Sequence, residues 1–295
     1  MMAHFQEVQG GSMRSLKYVL VATSLLVLAL TVPVFAGESL KAEELVAKHL
    51  DSIGTAEVRA AAKTRAVQGT AAYRILVGGG GHAEGTLGLV SEGRKLRYLV
   101  RFQQDYRGEN LGFNGEKVAV AFANSNQSRS PFAAFVSTYD EIMRDGLLGG
   151  TLSTAWALLD VSGRSPKLTY EGVKKLDGHP VHQLRYISHK HSDIEILLYF
   201  DAETFRHVRS LYTFTVGNNV GETITESAHL KQERSQLDER FSDFQTADGL
   251  TLPAHWNVQF TRELPNGSTT VTEWDLKAEK VMNNITLDPK NFEVK

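Results

Sequence analysis

The sequence predicts a mainly β protein of the α+β class, built on a single curved antiparallel sheet. From residue 64 onward, apolar and polar residues alternate with a period of two over most of the chain, as in strands with one buried face. Turn pairs such as Asp177-Gly178 and Asp248-Gly249 separate successive segments of this kind. Helical spacing is confined to short stretches, so we expect about eleven strands and about three helices.

The predicted strands follow one another as hairpins, which indicates an antiparallel meander. Asn114-Gly115 lies between two apolar runs and is a strong hairpin signal. The segments with strand character lie near residues 64–77, 83–92, 95–104, 109–123, 168–175, 180–188, 193–201, 206–216, 222–234, 238–247, 250–263 and 268–282.

A helix is predicted ahead of the first strand. Ser39 is a suitable N-cap, and apolar residues from Leu45 to Ile53 recur at helical spacing before Gly54 ends the helix. A short second helical piece is predicted from Thr55 to Ala62.

A third helical region, from Pro131 to Leu159, interrupts the strands and is called the helical island below. Pro131 can begin a helix, and aromatic and aliphatic residues follow at helical spacing. Gly146 and the pair Gly149-Gly150 break it. Glycine within a helix costs about 1 kcal/mol relative to alanine, so these breaks are not expected to serve stability. The island is interpreted either as a mobile lid over the sheet or as a fixed plug.

The alternation gives most strands one apolar and one polar face. In the segment 95–103, for example, Leu96, Tyr98, Val100 and Phe102 alternate with polar or charged residues. A sheet of this size must curl, and its apolar face is covered either by a second sheet or by the helices. Helices too small to fill the face would leave a cavity for a lipid-like ligand, whereas a completely filled face would be dry core.

Residues 1–36 are interpreted as an N-terminal extension followed by a cleaved signal peptide. Met13, the predicted true start, opens a short basic segment, and the nineteen residues from Tyr18 to Ala36 carry no charge. Small residues precede Gly37, as a signal peptidase requires. An uncleaved membrane anchor is the alternative, because nineteen apolar residues nearly span a bilayer.

Composition excludes several classes of protein. Lys and Arg total 32, Asp and Glu total 34, and the formal net charge is −2, so no nucleic-acid partner is expected. The absence of cysteine excludes thiolate metal sites, iron–sulfur clusters and cysteine nucleophiles, and fits export to a bacterial periplasm. Motifs of serine hydrolases, zinc peptidases and P-loop proteins are absent from the sequence. We therefore expect no enzyme activity, no catalytic residues and no cofactor.

Four histidines, His179, His182, His189 and His191, fall within thirteen residues and could in principle bind zinc or copper. His179 and His182 are expected to point to opposite faces of a strand, and no acidic ligand of fixed geometry accompanies them. Solvated hairpin histidines are the simpler interpretation, so no metal site is predicted.

A series of local patterns in the chain occurs in a recognisable order. The patterns are the helix at 42–50 ending at Ile53-Gly54, then Val67-Gln68-Gly69-Thr70, 177–184, 198–204, Phe241-Ser242-Asp243-Phe244 with 248–253, and 284–292. In this order they resemble the LolA/LolB/LppX-like superfamily of periplasmic lipoprotein and lipid carriers. The likeness is greatest to the proteins described as outer-membrane lipoprotein-sorting proteins.

The resemblance implies that residues 37–295 form one domain, an open half-barrel of antiparallel strands over a few helices, with a hydrophobic cavity for acyl chains. It implies a periplasmic carrier of lipids or lipoproteins, with a donor or acceptor protein at the inner or outer membrane as a partner. A non-carrying structural or partner-binding module on the same scaffold is the alternative, and a hydrolase is the third. The side chains predicted to line the cavity are Tyr98, Phe102, Phe132, Phe135, Trp156, Tyr212, Phe214, Trp256, Phe260 and Trp274.

Export gives a first testable prediction. N-terminal sequencing of the protein from the envelope fraction should begin at Gly37, because the residues before it fit a signal peptidase. The variant Ala36→Arg should remain uncleaved, since the peptidase needs a small residue at that position. A wild-type protein that still contained the apolar stretch Leu25–Leu30 would instead be membrane-anchored.

Overall fold

The structure is a computed structural model that describes residues 40–104, 106–121, 129–190, 192–216 and 232–294. The predicted signal peptide, His191 and most of the strand predicted at 222–234 lie outside the described residues. Within the described part of the chain, no helix is long and apolar enough to cross a membrane.

Twelve strands of the described residues form one open antiparallel sheet, which confirms the predicted fold class. The strands are β1 (Thr64–Val77), β2 (His82–Glu92), β3 (Lys95–Phe102), β4 (Gly108–Phe113), β5 (Val118–Ala121), β6 (Lys167–Leu176), β7 (His179–Ile187), β8 (Glu195–Asp201), β9 (His207–Thr215), β10 (Arg234–Ala247), β11 (Leu250–Glu263) and β12 (Thr269–Asn283).

The sheet consists of two meanders joined side by side. The strand order is β5-β4-β3-β2-β1-β12-β11-β10-β9-β8-β7-β6, so only the contact between β1 and β12 joins strands that are far apart in sequence. β5 and β6 form the two edges, and the sheet does not close into a barrel. The chain that connects β5 to β6 therefore has to pass from one edge of the sheet to the other.

Twelve strands are described where about eleven were predicted, and one predicted segment is a hairpin. The run at 109–123 forms β4 and β5, which pair with each other on either side of Asn114-Gly115. The hairpin signal at Asn114-Gly115 is thus confirmed, and the segment predicted as one strand contains two.

Five short α-helices and three 3₁₀ turns replace the three predicted helical regions. The first helix starts at Ala42 and not after Ser39, and its N-cap Lys41 donates its backbone N–H to Glu44 Oε2 at 3.0 Å. The helices are α1 (Ala42–Ile53), α2 (Ala56–Ala61), α3 (Pro131–Thr138), α4 (Glu141–Arg144) and α5 (Val161–Arg164), and the 3₁₀ turns are Gly150–Leu152, Ala157–Asp160 and Pro289–Phe292.

The predicted alternation along the strands is confirmed. In β3, Leu96, Tyr98, Val100 and Phe102 are at most 5% exposed, while the residues between them are more exposed. The apolar side of the sheet packs against α1 and the helical island and is called the inner face below. The opposite, polar side is called the outer face.

The glycines of the helical island have a structural purpose that the sequence interpretation missed. Gly146 and Gly149 have φ values of 68° and 74°, a region that residues with a side chain rarely adopt. A Cβ atom on Gly146 would lie 1.8 Å from the Ala155 carbonyl oxygen, and one on Gly149 would lie 2.5 Å from the Tyr98 hydroxyl. The expectation that these breaks do not serve stability is therefore wrong, because they allow the turns and close contacts of the island.

The variant Gly146→Ala should lower the free energy of unfolding by roughly 2–5 kcal/mol, since it combines an unfavourable φ with a steric clash. Gly80→Ala is a matched control, because no atom lies within 4 Å of the position its Cβ would take. Urea unfolding followed by circular dichroism measures both. Equal stabilities of the two variants would contradict the assigned role of Gly146.

Candidate functional site

The ten aromatic residues predicted to line a cavity lie together in the main core. Nine of them are at most 6% exposed, and Phe214 is partly buried. The structure therefore brings the predicted residues together, and their contact with a ligand stays a prediction. The nine buried residues are Tyr98, Phe102, Phe132, Phe135, Trp156, Tyr212, Trp256, Phe260 and Trp274.

Helix α3 covers the aromatic part of the inner face. The ring of Phe132 lies 4.9 Å from Trp274 and 6.0 Å from Phe260, measured between ring centroids. Phe135, on the same side of α3, lies 5.3 Å from Phe260. Two aromatic residues of α3 are thus inserted between the aromatic residues of β11 and β12.

The described residues of the island pack closely against the aromatic part of the inner face. A cavity of about 20 Å³ remains beside Tyr98, Phe132, Leu148, Trp256 and Trp274. This is room for about one water molecule, whereas pockets for lipid-sized ligands measure roughly 300–1,000 Å³. An acyl chain can therefore occupy the inner face only if part of the island moves away.

Glu239 joins the middle of the island to three strands. Its Oε1 accepts hydrogen bonds from the Gly149 backbone N–H at 2.7 Å and from Trp256 Nε1–H at 3.0 Å. Its Oε2 accepts one from the Tyr212 hydroxyl at 2.7 Å. Glu239 is fully buried, and burial raises the pKa of its carboxyl group to about 8 although these hydrogen bonds oppose the shift.

Further hydrogen bonds hold the island between residues 145 and 156. The Arg65 guanidinium of β1 donates from Nη1 to the Thr151 carbonyl at 2.8 Å. The Tyr186 hydroxyl of β7 donates to Asp145 Oδ2 at 3.0 Å. Each of these side chains is at most 7% exposed, so breaking either bond would leave buried polar groups unpaired.

His49 links α1, the island and the turn between β8 and β9. Trp156 Nε1–H donates to His49 Nε2 at 2.9 Å, and His49 Nδ1 lies 3.0 Å from the Phe205 carbonyl oxygen. Indole nitrogen only donates, so the His49 proton is on Nδ1 and the imidazole is neutral. Burial lowers the pKa of His49 to about 4, which keeps this arrangement at neutral pH.

A second buried carboxyl group lies beside the contact between α3 and the sheet. Glu109 Oε1 accepts a hydrogen bond from the Tyr106 hydroxyl at 2.7 Å, and that hydroxyl accepts one from Trp274 Nε1–H at 2.9 Å. Burial raises the pKa of Glu109 to about 7, while the hydroxyl groups of Ser130 and Tyr106 partly oppose the shift.

Helix α3 is attached differently from the rest of the island. Its own hydrogen bonds stay within the helix and its N-cap: Ser130 Oγ accepts from Ala133 N–H at 2.9 Å, and Thr138 donates to the Ala134 carbonyl. Among the described residues, no hydrogen bond joins residues 131–138 to a strand. Apolar contact holds residues 131–138 against the sheet, and the hydroxyl of the N-cap Ser130 interacts with the buried Glu109 carboxyl of β4. Hydrogen bonds hold the segment from Asp145 to Trp156.

The buried polar residues Glu239, Glu109 and His49 were not predicted as site residues. A signal was present for Glu239, which alternates with Leu237 and Phe241 and therefore falls on the apolar side of its strand. A charged residue at such a position needs a partner in the core. The sequence does not show which partner it has.

A serine, a histidine and an aspartate are joined on the outer face, and this arrangement bears on the hydrolase alternative. Ser242 Oγ lies 3.1 Å from His255 Nδ1, and His255 Nε2 lies 3.1 Å from Asp275 Oδ1. Serine hydrolases use the opposite arrangement, with serine at Nε2 and a buried carboxylate at Nδ1. Here the residues lie on three adjacent strands and are at least partly exposed, as in the solvated face of an antiparallel sheet.

The described histidines of the predicted cluster do not converge. His182 Nδ1 lies 2.9 Å from the Tyr170 hydroxyl, and its ring stacks on Phe205 with 5.2 Å between centroids. Within the part of the chain that the structure describes, no group of three or more His, Asp or Glu side chains could hold a metal ion.

Glu239 should make stability depend on pH between about 7 and 8. The pKa of its carboxyl is about 8 in the folded protein, against about 4.3 for an unfolded glutamate. The folded state therefore keeps a proton that the unfolded state has lost. The stability that this proton provides is complete below the unfolded pKa and is lost as pH rises through the folded pKa. His49, with a pKa of about 4, and Glu109, with a pKa of about 7, act mainly below this window.

We therefore expect wild-type protein to lose about 1 kcal/mol of unfolding free energy between pH 7 and pH 8, measured by urea unfolding. Glu239→Gln should remove this loss, because the amide does not titrate. Glu263→Gln, at an exposed position, is the control and should behave like wild type. An unchanged loss in Glu239→Gln would show that another group causes it.

Comparison with known proteins finds similar solved structures at low sequence identity. No family model and no curated protein matches the sequence. A LolA superfamily protein from Nitrosomonas europaea is 13% identical, with a TM-score of 0.45 over 87% of this chain and 99% of that chain. A DUF1329 family protein from Desulfovibrio piger is 14% identical, with a TM-score of 0.47 over 86% of this chain and 97% of that chain.

A third structure, a putative outer membrane lipoprotein-sorting protein domain from Vibrio parahaemolyticus, is 13% identical, with a TM-score of 0.43 over 84% of this chain and 97% of that chain.

Proposed function

We propose that the protein is a periplasmic carrier that binds the acyl chain of a lipid or lipoprotein between the inner face and a displaced helix α3. One observation carries this proposal: residues 131–138 of α3 cover the aromatic inner face and, among the described residues, make no hydrogen bond to a strand, while hydrogen bonds fix the following part of the island. An acyl chain can replace such contacts without leaving a buried polar group unpaired.

The free energy lost when α3 leaves the core and the free energy gained when an acyl chain takes its place are of similar size. Removing two phenylalanines and a valine of α3 from the core costs on the order of 5–8 kcal/mol. About eight buried methylene groups, at about 0.8 kcal/mol each, return a similar amount. Chains longer than this give net binding, and return of α3 to the inner face favours release.

The remaining parts of the proposal follow from the sequence. The predicted signal peptide supports a periplasmic location, and the resemblance to lipoprotein-sorting and lipid carriers supports an acylated ligand. Binding and release need no covalent chemistry. Release needs either a conformational change, such as the return of α3 to the inner face, or a receiving protein at the inner or outer membrane.

A substitution that weakens the packing of α3 against the inner face tests this function. Phe132→Ala should lower stability by about 3–5 kcal/mol and, by raising the population with α3 displaced, should tighten binding of the fluorescent fatty acid cis-parinaric acid about tenfold or more. Phe200→Ala is the matched control, because Phe200 is equally buried but packs against His49 and His207. It should lose stability without gaining affinity.

Fluorescence titration of wild type and both variants, at a temperature where all are folded, gives the comparison. Absence of binding by wild type and by Phe132→Ala would overturn the carrier function and favour the non-carrying module. Binding that tightens equally in both variants would show that general loosening of the core, and not displacement of α3, admits the fatty acid.

A further inference from the structure

A cleft of about 400 Å³ lies away from the aromatic inner face, between α2, the hairpin of β2 and β3, and the end of the helical island. Its volume falls within the range of small-molecule sites. Four basic side chains line it, Arg59, Lys63, Arg94 and Arg164, and Asp160 is the acidic residue beside them. Four positive charges against one negative charge stand out in a chain whose formal net charge is −2.

The one carboxylate of the cleft is already engaged. Asp160 caps helix α5, and its Oδ1 accepts a hydrogen bond from the Gly163 backbone N–H at 3.0 Å. Arg59 donates from Nη1 to the Leu50 carbonyl at 2.7 Å and lies 3.4 Å from Asp51, a largely exposed residue. The cations of the cleft are therefore only weakly compensated by the protein itself.

Arg164 is the buried member of this group. It is 6% exposed, and it donates from Nη2 to the Ala155 carbonyl at 2.8 Å and from Nη1 to the Arg144 carbonyl at 3.3 Å. Its Nε–H is buried and has no hydrogen-bond partner among the described residues. No described carboxylate lies within 4.0 Å of its guanidinium, which is an expensive arrangement for a buried charge. Burial and the nearby Arg94 lower the pKa of Arg164, and the charges of Asp145 and Asp160 partly oppose this shift.

A second unpaired polar atom belongs to the same cleft. The hydroxyl oxygen of Thr154 is buried and, like Arg164 Nε, has no hydrogen-bond partner among the described residues. Five buried side-chain atoms of the described residues lack a hydrogen-bond partner, and two of them belong to residues that line this cleft. A guanidinium N–H and a hydroxyl group are both donors to an anion with several oxygen atoms.

We propose that this cleft binds a phosphate group, with Arg164 and Thr154 at its buried end and Lys63 and Arg94 at its exposed side. Arginine and threonine donors suit the several oxygens of a phosphate, and the bound anion supplies a directly bonded counter-charge to Arg164 in addition to the nearby Asp145 and Asp160. The phosphate comes either from a lipid headgroup or from free phosphate. The proposal goes beyond acyl-chain binding and does not depend on it, since inorganic phosphate has no acyl chain.

Titration with sodium phosphate at constant ionic strength, balanced with sodium chloride, tests the site. The Arg164 Nε–H resonance, assigned by its loss in Arg164→Lys, should shift in ¹⁵N-edited NMR spectra. The double variant Lys63→Gln/Arg94→Gln should fold normally, because both residues are exposed, and should bind phosphate at least about tenfold more weakly. Lys174→Gln/Lys175→Gln removes the same charge from exposed positions of β6 outside the cleft and should bind like wild type.

Two results would overturn the proposal: no shift of the Arg164 resonance with phosphate or with a phosphate ester, or equal weakening in both double variants. A parallel titration with dihexanoyl phosphatidic acid distinguishes the source. Tighter binding than inorganic phosphate supports a lipid headgroup, and equal or weaker binding supports free phosphate as the ligand. Binding of cis-parinaric acid by Lys63→Gln/Arg94→Gln reports separately on the carrier function.

Discussion

The positions of the two edge strands determine what covers the sheet. β5 and β6 follow one another in sequence but lie at opposite edges of twelve strands, so the connecting chain must cross the sheet. Its residues Leu147, Leu152 and Trp156 are 0% exposed and belong to the same core as the strands. Because each Å² of apolar surface left in water costs roughly 25 cal/mol, an open sheet of this kind requires such a covering segment.

Buried polar contacts are unevenly distributed along this covering segment. Glu239 and His49 are completely buried, and burial moves their pKa values to about 8 and about 4, so both are uncharged at neutral pH. Their hydrogen bonds therefore position Gly149 and Trp156 without the cost of burying a charge. Residues 131–138 of helix α3 make no comparable hydrogen bond to a strand among the described residues, so their attachment depends on apolar area.

The fold could be predicted from the sequence because strand periodicity and hairpin signals are local. The same periodicity predicted that the aromatic residues lie together on the inner face. It could not show that Glu239 bonds to Gly149, ninety residues earlier, or that the glycines of the island approach other backbone atoms. A register shift between Tyr199 and Phe200 also places His207 in the core, and no local sequence pattern indicates this shift.

The division of the island also separates the two proposed binding sites. Thr154 and Arg164 lie beyond Gly149, in the part whose backbone is held by buried hydrogen bonds, and Arg164 itself bonds to the Ala155 carbonyl. Helix α3 packs against β5, β11 and β12, and none of these strands lines the proposed phosphate cleft. The proposed displacement of α3 therefore does not require a change at the cleft. A ligand that carries both an acyl chain and a phosphate group would gain affinity from both proposed sites, whereas an acyl chain or a phosphate alone would bind at one site only.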